Sequence, residues 1–315
     1  FDSYDYEGAS NVEHRTAIET SDLGLTWLQE QTTPSFLFLH YMEPHLNYEA
    51  TAPHLGHFSK ANPAAEAIKL DELVGKANRE PPAPDVQEFV RERYDEEILV
   101  ADDGIKHLVT SLKAQNRWDN TVLIITSDHG EEFWDHGGFE HGHSLMGELT
   151  RVPLIVAGGA APKHGRVDAV VEHVDLVVGL LALAEAPPSA DMMGTNIWAI
   201  ADQTATDHAN YALSENILYG PPKVSMVDAT ARMEFDFESN RGLLWAVDPD
   251  GMERRTTPPE QSGAIGKRLS EAIKKVRGSL MTIEGVGGVS IEDKEMFNQL
   301  RSLGYIDGPD PTEAT

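Results

Sequence analysis

Thr121-Val-Leu-Ile-Ile-Thr126, followed without a break by Ser127-Asp-His-Gly-Glu-Glu132, is the stretch on which the fold turns. An apolar, β-branched run without alternation reads as a strand covered on both faces, and the sudden switch to acid and imidazole marks its carboxyl end. Upstream, the turn-like Asn116-Arg-Trp-Asp-Asn120 closes a long helix. Asp85 with Glu88 reads as its capping box, and Val86, Val90, Tyr94, Ile98, Ala101, Ile105, Leu108 and Leu112 keep helical spacing along it.

The same alternation extends to both sides. Residues 14 to 31 read as a helix with Ile18, Leu25 and Leu28 on one face, ending before Pro34. Ser35 to Leu39 reads as a second strand covered on both faces, which opens into the polar loop His40-Tyr-Met-Glu-Pro-His45. Downstream, Val152 to Ala157 repeats the strand pattern and Asp175 to Ala184 is apolar enough for a buried helix. Alternating strands and helices predict an α/β fold with a doubly wound, mostly parallel sheet, whose ligands sit beyond the carboxyl ends of the strands. Both polar loops lie at such ends.

Beyond about residue 200 the texture changes. Lys223 to Val227, Arg232 to Phe237 and Gly242 to Val247 read as short alternating strands between Asn, Asp and Gly turns, with helices near 262–281 and 292–303. The expected organisation is a catalytic α/β domain over 1–200 and a small antiparallel α+β subdomain over 201–315. Residues 53 to 84, rich in Pro, Ala and charge, read as a surface excursion.

Composition narrows the partners. The 52 acidic residues against 25 basic ones give a net charge of -27, which repels nucleic acid and anionic lipid and suits solubility at high salt. No run approaches the roughly 18 apolar residues of a membrane-spanning helix. The absence of cysteine excludes disulfides, thiolate ligands and a cysteine nucleophile within these residues. Phe1 is not an initiating methionine, so an N-terminal segment is expected to be missing; cytoplasmic and secreted locations both stay open, and oligomeric state is not legible.

Eight of the 13 histidines fall in two windows: His40, His45, His54 and His57, then His129, His136, His141 and His143. Asp128-His129 offers an oxygen and a nitrogen ligand to a divalent ion. An isolated pair of this kind would read as a turn cap beside a solvated imidazole. Its place after a buried strand, with three more histidines following, points instead to a site.

Ser127-Asp-His-Gly-Glu-Glu-Phe133, the later His141-Gly-His143 and Arg151-Val-Pro-Leu-Ile155 resemble the sulfatase branch of the alkaline phosphatase superfamily. Phe36-Leu-Phe-Leu-His-Tyr-Met-Glu-Pro-His45 is similar to that family's substrate-histidine loop, residues 94 to 120 to its long helix, and Leu300-Arg-Ser-Leu-Gly-Tyr-Ile306 to its C-terminal motif. The resemblance implies that Asp128 and His129 hold a divalent cation, usually calcium, with further ligands from an N-terminal Asp pair. It sets His45 against the transferring group or the leaving oxygen, where an imidazole can donate a hydrogen bond or a proton. His40, His136 and Glu131 are supporting candidates. Oxygen ligation favours calcium or magnesium, whereas more imidazoles would favour zinc or manganese.

Two departures from the pattern matter. No lysine lies between Asp128 and Lys163, where many sulfatases carry one, so His141 or His143 is the expected replacement and could instead bind a second metal. The family's formylglycine, made from Cys or Ser in a Cys/Ser-x-Pro-x-Arg motif, has no counterpart in residues 1–315 and is expected from a missing N-terminal segment, which leaves the fragment inactive alone. The resemblance thus implies hydrolysis of a small-molecule or carbohydrate sulfate ester. A phosphodiesterase, phosphonate monoester hydrolase or phosphoethanolamine transferase of the same superfamily is the rival within the fold. An inactive sulfatase-like binding protein is the rival outside enzymology.

Overall fold

The computed structural model describes residues 15–68, 81–162, 165–206, 210–215, 221–239, 241–248 and 253–255, and the single residues 3, 5, 70, 208, 218, 220, 267 and 271. These fall into two compact units, which part between Asn120 and Thr121. The boundary expected near residue 200 falls inside the second. The helices expected near 262–281 and 292–303, and the 300–306 motif, lie outside the described residues.

The first unit is built on two helices. Helix α1 (Ala17–Glu30) starts at a capping box, in which the Thr16 side chain accepts from the Glu19 amide while the Glu19 carboxylate accepts from the Thr16 amide. A one-turn helix, α2 (Pro63–Glu66), is capped by Asn62 and precedes the long α3 (Pro84–Ala114). The expected Asp85–Glu88 capping box does not form. Pro84 occupies the first turn, where its fixed φ suits a helix and its missing N–H costs nothing, so Asp85 falls inside the helix and Ala83 caps it by backbone alone.

Helices α1 and α3 meet at Gly104, where an added Cβ would lie 2.4 Å from the Ala17 Cβ. The Ser21 hydroxyl fills the rest of the seam, 2.8 Å from the Ala17 carbonyl and 3.2 Å from that of Gly104. The buried face of α3 differs from the expected stripe. It runs through Val86, Val90, Glu96, Glu97, Val100, Gly104, Leu108 and Leu112, while Ile98 is 43% exposed. Two carboxylates therefore occupy the middle of the packed face.

Ser35 to Leu39 joins no sheet among the described residues, and it is not covered on both faces. Leu37 and Leu39 pack over Gly24 of α1, while Phe36 and Phe38 are 55% and 67% exposed. One helix covers one face, so an apolar run adopts the inside–outside alternation of a half-covered strand.

The second unit begins with β1 (Leu123–Thr126), then β2 (Glu132–Phe133), β3 (Phe139–Glu140), the single turn α4 (Gly147–Thr150) and β4 (Leu154–Ala157). Strands β1 and β4 pair antiparallel, Leu123 opposite Ala157 and Thr126 opposite Leu154. The α/β class holds, but every strand pair among the described residues is antiparallel. The physical reason lies between β1 and β4: the connection holds only a two-residue hairpin ladder and one helical turn, so no crossover helix carries the chain to the opposite end of β1.

Helix α5 (His173–Leu183) follows, then α6 (Ile197–Ala201). The apolar stretch expected as a buried helix is α5, but Val174 and Val177 face solvent and only one side packs, with Gly179 against Ile197. The unit ends in an antiparallel meander of β5 (Ala212–Glu215), β6 (Lys223–Val227), β7 (Ala231–Asp236), β8 (Arg241–Val247) and β9 (Glu253–Arg255). One face of the meander carries an apolar cluster of Val224, Met226, Ala231, Met233 and Leu244. The alternate residues Ser225, Arg232, Glu234 and Trp245 are buried as well, so the second face is covered too. No helix among the described residues is long and apolar enough to cross a membrane.

Candidate active site: two histidine loops

The loop that leaves β1 is stitched by its own polar groups. The Ser127 hydroxyl donates to the His129 carbonyl (2.5 Å), the His129 amide donates to Asp128 Oδ1 (3.0 Å), and the Gly130 amide donates to the Leu149 carbonyl (2.8 Å). A Cβ at Gly130 would lie 2.0 Å from the Glu148 carbonyl oxygen, so the closure of this loop requires glycine. The β2–β3 hairpin projects between, with Trp134 stacked on Phe139 at 4.6 Å.

Asp128 and His129 fit a shared cation. His129 Nδ1 lies 2.9 Å from the Gly130 carbonyl, which can only accept, so Nδ1 carries the proton and Nε2 keeps its lone pair in the neutral ring. Nε2 stands 3.7 Å from Asp128 Oδ2. Two ligands bonded at about 2.0–2.5 Å to one ion, at angles from about 90° to 120°, stand about 3–4 Å apart. Both side chains reach solvent, at 35% and 47% exposure, as an entry path for an ion requires.

The structure separates the two histidines of the His-Gly-His segment. The His141 ring lies over that of His129, with centroids 3.9 Å apart, and its Nδ1 is 3.0 Å from Glu131 Oε1 and its Nε2 3.5 Å from Glu140 Oε1. Burial opposes charge on His141, but the Glu131 hydrogen bond and the charges of Glu140, Glu131 and Asp128 outweigh it and raise its pKa. His143 is buried, with Nε2 2.7 Å from Glu132 Oε2 and its ring set on the Gly138 backbone. Its pKa is also raised, because the bond and charge of Glu132 overcome burial. Glu132 also accepts from the His136 and Gly138 amides, and these bonds with His143 hold it below the ordinary range against its burial.

His136 is not drawn to the Asp128–His129 pair. Its Nδ1 meets Glu148 Oε1 at 2.5 Å and its ring packs edge-on to Trp245 at 4.8 Å. His136, Glu148 and Glu253 could together offer three atoms to an ion, all within 4.8 Å of one another, but Arg232 already forms a buried ion pair with Glu253. Arg232 also donates to the Leu145 carbonyl (3.0 Å) and Ser225 Oγ (2.8 Å). The Gly147 amide donates to Glu253 and the Leu145 amide to Glu234. The covered second face of the meander is thus a platform for residues 145–147, just after His143.

The other loop belongs to the first unit. His45 is half-buried; its amide donates to Glu97 Oε2 (2.7 Å), and its Nδ1 lies 2.8 Å from the Leu46 carbonyl, which leaves the lone pair on Nε2 in the neutral ring. His40 is exposed, its ring 6.3 Å from Phe38. His54 pairs with Asp103 at 2.7 Å, and His57 packs on Phe58. Sequence reasoning missed Glu96, Glu97, Arg232 and Glu253. For Glu97 a signal existed: it stands seven residues from both Val90 and Gly104, on the line of the packed face.

Chemically, the β1 loop gathers Asp128, Glu131, Glu132, Glu140 and Glu148 around four histidines, with no lysine. Such a surface attracts a dication and accepts an anionic substrate only once neutralised. Comparisons with known proteins identify the family. The Sulfatase family model matches residues 4–186, more than half of the chain. The chain is 34% identical over 101 residues to the uncharacterised sulfatase YidJ of Escherichia coli, covering 32% of this chain and 20% of that protein. It is 26% identical over 126 residues to the N-acetylglucosamine-6-O-sulfatase of Bacteroides thetaiotaomicron, 40% of this chain and 22% of that one. The chain therefore spans about a fifth of the length of these relatives. Among solved structures it resembles BT4656, bound to D-glucosamine-2-N,6-O-disulfate, with a TM-score of 0.68 at 15% identity over 86% of this chain and 71% of that one. It also resembles the phosphonate monoester hydrolase of Agrobacterium radiobacter, with a TM-score of 0.66 at 18% identity over 84% and 61%. The loop geometry, the extent of the family match and the shared alkaline phosphatase-like fold lead to one conclusion: the chain belongs to the sulfatase family.

Proposed function

We propose that the protein hydrolyses sulfate esters of carbohydrates or other small molecules at a divalent-cation site in which Asp128 and His129 are two of the ligands. The observation that carries this reading is the 3.7 Å approach of Asp128 Oδ2 and His129 Nε2, with the His141 ring 3.9 Å from that of His129, in a chain of this family. The cation, calcium in this reading, supplies charge to offset the ester's sulfate oxygens. His141, held by Glu131 through Nδ1, takes the place of the missing lysine and donates a hydrogen bond to a sulfate oxygen, with added positive charge when protonated. His45 donates to the transferring group or protonates the leaving alcohol. His143, buried on Glu132, supports the loop rather than touching substrate.

Residues 1–315 hold neither cysteine nor Ser-x-Pro-x-Arg, so in this reading a formylglycine nucleophile comes from sequence outside them and the chain alone is inactive. The carbohydrate class is supported by the names of the Bacteroides N-acetylglucosamine-6-O-sulfatase and of the disulfated glucosamine bound to BT4656. A second reading, hydrolysis of phosphonate monoesters or phosphodiesters, is favoured by the absent lysine and by the phosphonate hydrolase likeness.

The test is turnover of glucosamine-6-sulfate, 4-nitrophenyl sulfate and phenyl phosphonate esters by the full-length protein before and after chelation, with metal content measured by mass spectrometry. Sulfate-ester turnover that disappears on chelation and in Asp128→Asn supports the proposal. Turnover of phosphonate esters alone transfers it to the second reading. No turnover of any ester in protein shown to carry a cation refutes both.

A further inference from the structure

We propose that Glu97 is the positioning residue for His45, and that the consecutive Glu96 and Glu97 of α3 form a two-part clamp that shapes the loop from His45 to Ser59. The functional half of this proposal rests on the reading in which His45 meets the substrate; the structural half does not.

The two carboxylates divide the loop between them. Glu97 Oε2 accepts the His45 amide at 2.7 Å, and its Oε1 accepts the Glu49 amide at 2.8 Å. Between those anchors the chain turns tightly, the Tyr48 amide donating to the His45 carbonyl at 3.0 Å. Glu96 Oε2 accepts the Gly56 amide (3.1 Å), while its Oε1 takes the Phe58 amide (3.0 Å), the Ser59 amide (2.8 Å) and the Ser59 hydroxyl (2.8 Å). Consecutive helical residues point about 100° apart, so neighbouring glutamates reach different parts of one loop. Arg93, one turn earlier, donates to the Tyr48 carbonyl (3.1 Å) and stands 3.8 Å from Glu96, and the fully buried Tyr48 ring meets Tyr94 edge-on at 5.4 Å.

Every one of these six bonds to Glu96 and Glu97 comes from a donor. An ionised carboxylate offers only acceptors, whereas glutamine would turn an NH2 group against a backbone N–H. Both residues are buried, at 0% and 5% exposure, where an unmatched polar group is costly. For His45 the consequence is direct. Its backbone is fixed by Glu97 and its ring by the Leu46 carbonyl, so the place of Nε2 follows from the position of the Glu97 carboxylate.

The charged groups facing Glu97 are Arg93 on its own helix and Glu43 on the loop, while His45 and Glu49 meet it through their backbone amides. Burial, with the nearby Glu43, pushes its carboxyl up to about 7 against the two amide bonds and Arg93. The state of the clamp can therefore be read by titration near neutral pH.

Hydrogen–deuterium exchange of the full-length protein tests the clamp without any assay of turnover. Glu97→Gln should speed exchange in the segment containing His45 and Glu49 by roughly tenfold and leave residues 56–59 unchanged, and Glu96→Gln should do the reverse. If either variant loosens both segments alike, or neither, the two-part clamp is wrong. For the positioning role, Glu97→Gln should lower kcat on the ester substrate roughly tenfold with KM nearly unchanged and remove an ionisation near pH 7 from the kcat profile. An unchanged kcat and profile in an active enzyme overturns it. If the wild-type protein turns over no ester, the hydrolase reading fails, and the exchange data still judge the clamp.

Discussion

Replacing Arg232 by methionine should be among the most damaging single changes in the second unit. Arg232 is 2% exposed, and its guanidinium serves Glu253, the Leu145 carbonyl and Ser225 Oγ. Its loss leaves the Glu253 carboxylate, also buried, without its countercharge, which costs about 3–5 kcal/mol, and leaves the Leu145 carbonyl short of a donor for about 1 kcal/mol more. With a urea m-value of about 3 kcal/mol/M, a loss of that size lowers the midpoint by about 1–2 M. Glu253→Met should be comparably harmful, because it strands the guanidinium instead. The double variant Arg232→Met/Glu253→Met removes both charges and fills the space with apolar groups, so it should recover at least about 2 kcal/mol of the summed loss. Equilibrium urea unfolding of the four proteins, followed by tryptophan fluorescence, measures this coupling. Strictly additive losses, or a midpoint unmoved by Arg232→Met alone, would refute the view that a buried ion pair fixes the loop after His143 to the meander.

Gly104→Ala should destabilise the first unit by about 1–2 kcal/mol, since its Cβ would lie 2.4 Å from the Ala17 Cβ and 2.9 Å from the Ala17 carbonyl carbon, and helix propensity returns only about 1 kcal/mol; calorimetry should show a melting point lower by several degrees. Glu132→Gln should lower the His143 pKa, read by NMR titration of the ring. The raised His143 pKa gives stability that is present below about 6.5 and lost as pH rises through the folded value, and the lowered Glu132 pKa gives stability present above about 4.5 and lost as pH falls. The variant should therefore cost most between about pH 4.5 and 6.5, by about 3–5 kcal/mol, and an equal cost at pH 9 would contradict the pairing. For Glu97 the sign is opposite to the usual carboxylate: its pKa, raised from 4.5 to about 7, gives stability that is complete below about pH 4.5 and lost as pH rises through 7. The deficit of Glu97→Gln against the wild type should thus shrink by up to about 3 kcal/mol as pH rises from 4.5 to 8 in urea titrations, and parallel curves would count against the shift.

What the sequence made legible follows from where local chemistry was sufficient. Strands β6, β7 and β8 lie within a residue of the expected spans, because apolar–polar alternation between Asn, Asp and Gly turns is a local property. Asp128 and His129 stood out because a strand ended and charge began at one residue. Pairing direction was not legible: Leu123 meets Ala157 in an antiparallel register through a loop whose closure depends on Gly130 reaching Leu149, which no periodicity encodes. Nor could spacing decide between His141 and His143. Only the fold shows one ring lying over His129 and the other buried on Glu132.

The acids that escaped notice share one cause. A carboxylate on a helix in a chain of net charge -27 reads as part of a solvated surface, yet Glu96, Glu97 and Asp175 are buried and accept loop amides. Asp175 takes the Thr195 amide at 2.6 Å and the Glu172 amide at 2.8 Å, and buried Asp228 takes those of Thr230 and Ala231 at 2.7 and 2.9 Å. Backbone N–H groups in irregular loops have no ladder to join, and a carboxylate meets two or more of them at once with no donor of its own to satisfy. The excess of acid over base in this chain therefore has an internal part as well as a surface one. Salt screens the surface part strongly and the internal part weakly, so loops held by Glu96, Glu97 and Glu132 should keep their shape across ionic strengths that change the protein's outer charge.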